Sequence, residues 1–315
     1  MKILITGVHG FVGSNLVKAL SKDNIIYGLD IVDPVKEGIK FTFKWEELDK
    51  EGVVPEVDAI IHLAGKAHDT KKKSAADVYF KVNTGLTQKI FDYFCAKDSI
   101  KKFVFFSTAK AAADKVQGVL TEEVIPSPVG PYGESKIKAE EYLLSKTEEV
   151  RSKGKDVYIF RPCMIHGPGN KGNLNLLYNV VKKGVPWPLG AYENRRTFTS
   201  IENICFAVNG VLTKDVPSGI YNMGDDEALS TNELIEEICK SLGKKAHIWK
   251  LPKGLMNGVA KVGGWLHLPL NSERLRKLTE NYISSNAKIK KALGVEKMPV
   301  DAREGLRATL KSFKE

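Results

Sequence analysis

Long hydrophobic runs are missing from this chain of 315 residues. No apolar stretch approaches the ~18 residues needed to cross a bilayer. Met1 to Thr6 already read as a strand, so no secretory leader is expected ahead of the fold and a cytoplasmic protein is. Cysteine is scarce: Cys95, Cys163, Cys205 and Cys239 are scattered without CxxC spacing, which argues against a disulfide framework and leads us to expect no metal site. Repeats, low-complexity segments and Gly/Ser linkers are also lacking, which excludes solenoids and beads on a string. Acid is in the minority, 38 residues against 48 basic ones, and the net charge of +10 suggests anionic partners. The basic residues are dispersed, as in "KKK" at 71–73 and "KIKK" at 288–291, with no aromatic-interleaved stripe. The dispersed basic residues read first as solvated surface lysines and, in the sharper reading, as a draw for a phosphate-bearing small molecule; nucleic acid is not expected. "LMNGVAKVGGWLHLPL" (255–270) reads as a buried helix, and no firm membrane association is expected.

What is present is alternation. "KILIT" (2–6), "IIYGLD" (25–30), "VDAIIHLAG" (57–65), "KKFVFFST" (101–108) and "DVYIFRP" (156–162) are strand candidates. "FVGSNLVKALSK" (11–22) and "VNTGLTQKIFDYFCAK" (82–97) lie between them with helical spacing. Such a chain predicts an α/β fold, a Rossmann-type doubly wound parallel sheet. Beyond residue 165 the rhythm loosens into Gly/Pro-rich loops and helices such as "STNELIEEICKSLG" (230–243). The expected organisation is a dinucleotide-binding domain over 1–165 with a returning segment near 197–224, and a smaller substrate-binding α/β domain from 166–196 and 225–315.

"ITGVHGFVG" joins the first strand to the first helix. Gly7 permits a tight turn, Gly10 lets backbone approach a pyrophosphate, and Gly13 allows close helix–strand packing. Phe11 and Val12 open the helix whose N-terminus would face the phosphates. The second strand ends at Asp30, seventeen residues beyond Gly13, where a carboxylate accepts from ribose hydroxyls and repels a 2′-phosphate. NAD is the expected cofactor.

The fourth strand candidate ends in Ser107 and Thr108, and in open α/β sheets ligands sit beyond the carboxyl ends of strands. Further on, "PYGESK" places Tyr132 and Lys136 one helical turn apart on one face. An ammonium beside a phenol favours the phenolate. Tyr132 would then take a proton from a sugar hydroxyl, with Thr108 holding the same oxygen.

On "TGVHGFVG", "DAIIHLAG", "VNTGLT", "FFSTAK", "PYGESKIKAEE", "FRPCMIHGPG", "RRTFTSIENI" and "IYNMG" the chain resembles the extended short-chain dehydrogenases/reductases, the NAD-dependent epimerase/dehydratase family, over nearly its whole length. The resemblance assigns Tyr132 as base, Lys136 as partner of the nicotinamide ribose and Thr108 with Ser107 as hydroxyl helpers. It lines the cofactor with Leu63, Ala64 and Gly65 and braces the crevice with Asn83. Arg196 would grip a sugar-nucleotide diphosphate, Arg276 or Arg274 would assist, and Asn173 and Lys110 would meet the substrate. A homodimer through the helices following Asn83 and Tyr132 is implied.

The family pattern is broken in places. "AKAAAD" replaces a common "VYG" segment, Met164 stands where several 4-epimerases carry asparagine, and "FKWEELDK" lacks the usual Gly-Asp at adenine. The activity expected is 4-epimerisation of a UDP-hexose or UDP-N-acetylhexosamine through a 4-keto sugar. The alternative is reduction of a UDP-4-keto-6-deoxy sugar, since Lys110 resembles the "SSIKVNG" pattern of relatives acting on such sugars. A dehydratase would want an acidic pair after Thr108, where "AK" stands, and a non-catalytic dinucleotide sensor would have no use for the Tyr132–Lys136 pair.

Overall fold

A computed structural model describes residues 1–66, 75–170, 172–265 and 271–314. The "KKK" at 71–73 and the last five residues of 255–270 lie outside the described residues. Seven strands, β1 (Lys2–Thr6), β2 (Ile25–Leu29), β3 (Phe41–Phe43), β4 (Ala59–His62), β5 (Lys102–Phe106), β6 (Asp156–Pro162) and β7 (Gly219–Met223), form one parallel sheet in the order β7-β6-β5-β4-β1-β2-β3. Around it lie α1 (Phe11–Leu20), α2 (Leu86–Ala96), α3 (Pro131–Ser145), α4 (Asn173–Lys182), α5 (Ile201–Thr213), α6 (Thr231–Ser241), α7 (Lys253–Trp265), α8 (Ser272–Thr279), α9 (Ala287–Leu293) and α10 (Ala302–Ser312).

A parallel sheet covered on both faces needs apolar residues on both, and successive side chains sort accordingly. Ile3, Ile5, Val104, Phe106, Tyr158 and Phe160 pack with α1, α5 and α9 in one core. Leu4, Phe103, Phe105, Val157 and Ile159 pack with α2 and α3 in the other. A third core joins Leu174 and Tyr178 of α4, Ile235 and Ile238 of α6, Met256 of α7, Leu275 of α8 and Leu306 of α10.

The chain runs outward from β1 to β3, then returns to β4 on the other side of β1. That reversal opens a crevice beyond the carboxyl ends of β1 and β4, where the ligand of such a sheet sits.

The helix expected over 82–97 is split. Phe80–Gly85 takes π-helical turns before α2 begins, and such bulges concentrate at functional sites. The stretch starting at Leu255 is not the buried helix expected. On α7 only Met256, Ala260 and Gly263 are buried, while Leu255, Val259, Val262 and Trp265 are exposed. One apolar stripe is enough to seat a helix on a core, and this helix carries two. Among the described residues no helix is long and apolar enough to cross a membrane.

Candidate active site

The glycine turn is built by close approach. Gly7 has φ +66°, and a Cβ there would stand 2.9 Å from the backbone nitrogen of Ala64. A Cβ on Gly13 would come within 2.6 Å of the carbonyl oxygens of Gly7 and Val8. Asp30 sits at the end of β2, its Oδ2 accepting from the His9 backbone N–H at 3.1 Å and its Oδ1 from that of Ile31 at 2.7 Å. One face of the glycine turn is thereby tied to a half-buried carboxylate.

Behind β4 runs a directed hydrogen-bond chain. Thr87 donates to the Asn83 carbonyl at 2.6 Å, so its oxygen must accept from His62 Nε2 at 2.9 Å. His62 Nδ1 then accepts from the Thr6 hydroxyl at 2.7 Å. The same Thr6 oxygen receives the backbone N–H groups of Leu63 at 3.2 Å and Ala64 at 3.0 Å. Burial, with Lys136 nearby, holds His62 well below its ordinary value and therefore neutral. Asn83 completes the wall. Its Oδ1 accepts from the Lys66 N–H at 2.7 Å and its Nδ2 donates to Ser135 Oγ at 3.0 Å, so it braces the crevice and does not cap a helix.

Pro131 begins α3 and puts Tyr132 and Lys136 on adjacent turns. Burial raises the Tyr132 phenol, and the Thr108 hydroxyl donating to it pulls it back. The Lys136 ammonium donates to the Phe106 carbonyl at 2.8 Å and lies 4.9 Å from the centre of the Phe105 ring. Burial lowers it to about 8 against the opposing pull of Glu140. The neighbouring Tyr79 pushes the phenol the same way as burial does, and the lysine is turned to the Phe106 carbonyl at the end of β5. A Cβ on Gly65 would stand 3.2 Å from Lys136 Nζ and 3.0 Å from Asn83 Oδ1, so a side chain here would crowd both groups.

The two hydroxyls after β5 diverge. Thr108 faces the tyrosine, whereas Ser107 donates to Glu140. Glu140 is fully buried and receives Arg161 Nε at 3.1 Å on each oxygen and Nη2 at 2.5 Å. Neither member of this ion pair is among the residues singled out from sequence. The signal lies in "VYIFRP", where an arginine inside an apolar strand requires a buried counter-charge.

On the opposite side Lys110 and Arg276 converge on Asp114. Lys110 Nζ is 3.1 Å from Asp114 Oδ1 and 4.6 Å from the Tyr282 ring centre, while Arg276 reaches Asp114 Oδ2 at 3.3 Å and Glu280 at 2.8 Å. Burial raises the Asp114 carboxyl, but these two cations outweigh it and hold the group below its usual range. Arg196 donates to the Lys277 carbonyl, and burial lowers its guanidinium. Arg195 pairs instead with Glu233 at 2.8 Å. Lys110, Arg196 and Arg276 thus share one neighbourhood, and Asn173 is exposed at the start of α4.

The family model described as the NAD dependent epimerase/dehydratase family matches residues 3–224. The chain belongs to that family. A UDP-glucose 4-epimerase of Vibrio cholerae is 31% identical over 264 residues, 79% of this chain and 78% of the relative. An N-acetyl-alpha-D-glucosaminyl-diphospho-ditrans,octacis-undecaprenol 4-epimerase of Escherichia coli O157:H7 is 27% identical across 92% of this chain and 84% of its own length. The fold matches a UDP-glucuronic acid 4-epimerase from Bacillus cereus in complex with NAD, with a TM-score of 0.76 at 20% identity over 100% of this chain and 99% of that one. The cofactor of the family is NAD, and the residues present fit it. At Gly7 and Gly13 the turn packs so tightly on the chain's own backbone that only glycine holds it in this shape at the end of β1, Asp30 offers acceptors at the end of β2, and Gly65 puts no side chain against Lys136.

Proposed function

We propose that this protein is an NAD-dependent nucleotide-sugar 4-epimerase acting on a UDP-hexose or UDP-N-acetylhexosamine through a transient 4-keto sugar. The observation that carries the reading is the Thr108–Tyr132 hydrogen bond at the carboxyl end of β5, with buried Lys136 one turn further along α3. When bound, NAD supplies the acceptor that takes a hydride from C4 and gives it back to the other face. Tyr132 Oη accepts the proton of the 4-hydroxyl and returns it, and Thr108 keeps that oxygen in line. Lys136 would hold the ribose of the bound cofactor, and its positive charge favours the phenolate once the sugar is seated. Arg196 and Arg276, with Lys110 beside Asp114, provide the positive wall for the diphosphate. The relatives named as 4-epimerases support this choice of reaction within the family.

The first experiment denatures the purified protein and counts the nucleotide released, then follows C4 inversion of UDP-glucose and UDP-N-acetylglucosamine by NMR with no added cofactor. About one NAD per chain and inversion are expected. Tyr132→Phe should lower turnover by about 10²- to 10⁴-fold with NAD retained. Protein that is empty when isolated and consumes NADH or NADPH with a UDP-4-keto-6-deoxy sugar would replace the epimerase reading with a one-way reductase. For the assembly we propose a homodimer through α2 and α3, to be read by sedimentation.

A further inference from the structure

Helix α7 buries Met256, Ala260 and Gly263 against the third core and leaves a second apolar stripe facing outward. Leu255, Val259, Val262 and Trp265 follow at i, i+4, i+7 and i+10, one side of a helix, and Trp265 is 81% exposed. Trp249, just ahead of the helix, is exposed as well. A contiguous apolar surface of this kind marks an interaction site, in contrast to single exposed apolar residues.

The charge around the stripe is one-sided. From Lys244 to Ser272 the chain has five lysines, Lys244, Lys245, Lys250, Lys253 and Lys261, and no Asp or Glu, although the whole chain holds 38 acids in 315 residues. All five lysines are exposed. Lys261 lies one turn before Trp265 on the same edge of α7, where its aliphatic stem can follow the apolar side while the ammonium stays in water. Short amphipathic helices that combine leucine, valine and tryptophan with lysines at the margin lie in the plane of a bilayer interface, and lysines near such a surface favour anionic lipid. A protein partner would need to supply both an apolar groove and a surround of acids, whereas an anionic bilayer presents both layers in the required order.

We propose that α7 is an interfacial helix that docks this protein on an anionic lipid bilayer. Leu255, Val259, Val262 and Trp265 enter the boundary between headgroups and acyl chains, and Lys250, Lys253 and Lys261 lie at the lipid phosphates. The sequence alone led to the opposite expectation, because the pattern does not reveal that only one of the two apolar stripes is covered.

The test is co-sedimentation of the full chain with vesicles of phosphatidylcholine alone and of phosphatidylcholine with about one-third phosphatidylglycerol. Binding to the anionic vesicles is expected, weakened when salt rises from about 0.05 to about 0.5 M, with a blue shift of tryptophan emission. The variant Leu255→Ser/Val262→Ser alters only exposed side chains outside the site. It should keep its melting temperature and UDP-sugar turnover and lose at least about tenfold in vesicle affinity. Lys250→Gln/Lys261→Gln should weaken binding to the anionic vesicles. The proposal is overturned if the wild type does not sediment with anionic vesicles, or if Leu255→Ser/Val262→Ser binds them equally well. It is also overturned if that variant changes the oligomeric state in solution, which would assign the stripe to a contact between copies. Vesicle binding is read without turnover, so its failure and a failure of the epimerase reading are separate results.

Discussion

Replacing Lys136 by methionine should make the protein more stable and leave it nearly inactive. Burial brings the ammonium down from 10.5 to about 8. At about 1.4 kcal/mol per tenfold in proton affinity, keeping it charged in the fold costs about 3 kcal/mol at pH 7. Methionine has similar length and removes that cost, but it leaves the Phe106 carbonyl without the donor now 2.8 Å away, a loss of about 1 kcal/mol. The net gain is about 2 kcal/mol, which for 315 residues raises the melting temperature by about 3 °C. The pH dependence follows from the direction of the shift. The folded chain releases this proton near pH 8, whereas the unfolded chain holds it until about 10.5. Across that window the unfolded state binds more protons, so the wild type gains stability from this group as pH rises, and the gap to the variant closes. The assay is thermal unfolding of nucleotide-free wild type and Lys136→Met at pH 7 and at pH 10, since bound cofactor would add its own stabilisation. A variant less stable than the wild type at pH 7, or a gap that widens with pH, refutes the reasoning. Turnover of the NAD-loaded variant should fall by at least about a hundredfold.

Two further outcomes follow from the same region. Glu140→Gln strips the counter-charge from Arg161, a fully buried guanidinium whose Nη1 has no partner among the described residues, and should cost about 3–5 kcal/mol. Adding Arg161→Met should recover most of the loss in a denaturant titration, and a cost under about 1 kcal/mol for the single change would show that the pair is not isolated from water. Gly13→Ala forces a Cβ to within 2.6 Å of two carbonyl oxygens. The amount of nucleotide released on denaturation should drop at least about tenfold, because the turn must open to accept the methyl group; unchanged retention contradicts the proposed cradle.

Much of this was legible because the information is local. β1 and β6 have the bounds expected from "KILIT" and "DVYIFRP", since a buried parallel strand is a short apolar run with sharp ends. The glycine turn could be placed because its three glycines lie between such a strand and an amphipathic helix. Tyr132, Lys136, Thr108 and Asn83 come together at the ends of β4 and β5, and Lys110 and Arg276 meet at Asp114. What could not be read was pairing across distance. Ser107 and Thr108 are adjacent and chemically alike, but which hydroxyl turns to Tyr132 and which to Glu140 depends on a carboxylate 33 residues away. The π-helical turn at Phe80–Gly85 left no mark in the periodicity, because one extra residue in a turn is absorbed by the next. Leu255 and Met256 are adjacent as well, and only the packing of α7 decides that one is covered and the other is not.

The chain from Thr6 through His62 and Thr87 to Asn83 has a consequence for the thermodynamics of cofactor uptake. Every proton in it has one possible position, because Thr87 already uses its own on the Asn83 carbonyl and the histidine is held neutral. The backbone N–H groups of Leu63 and Ala64 are therefore held by a hydrogen-bond chain with no alternative tautomer to relinquish when a nucleotide arrives. Side chains that are already ordered add little entropic penalty to association, so the ordering accomplished during folding is not charged again on binding. That part of the crevice is finished before its guest arrives.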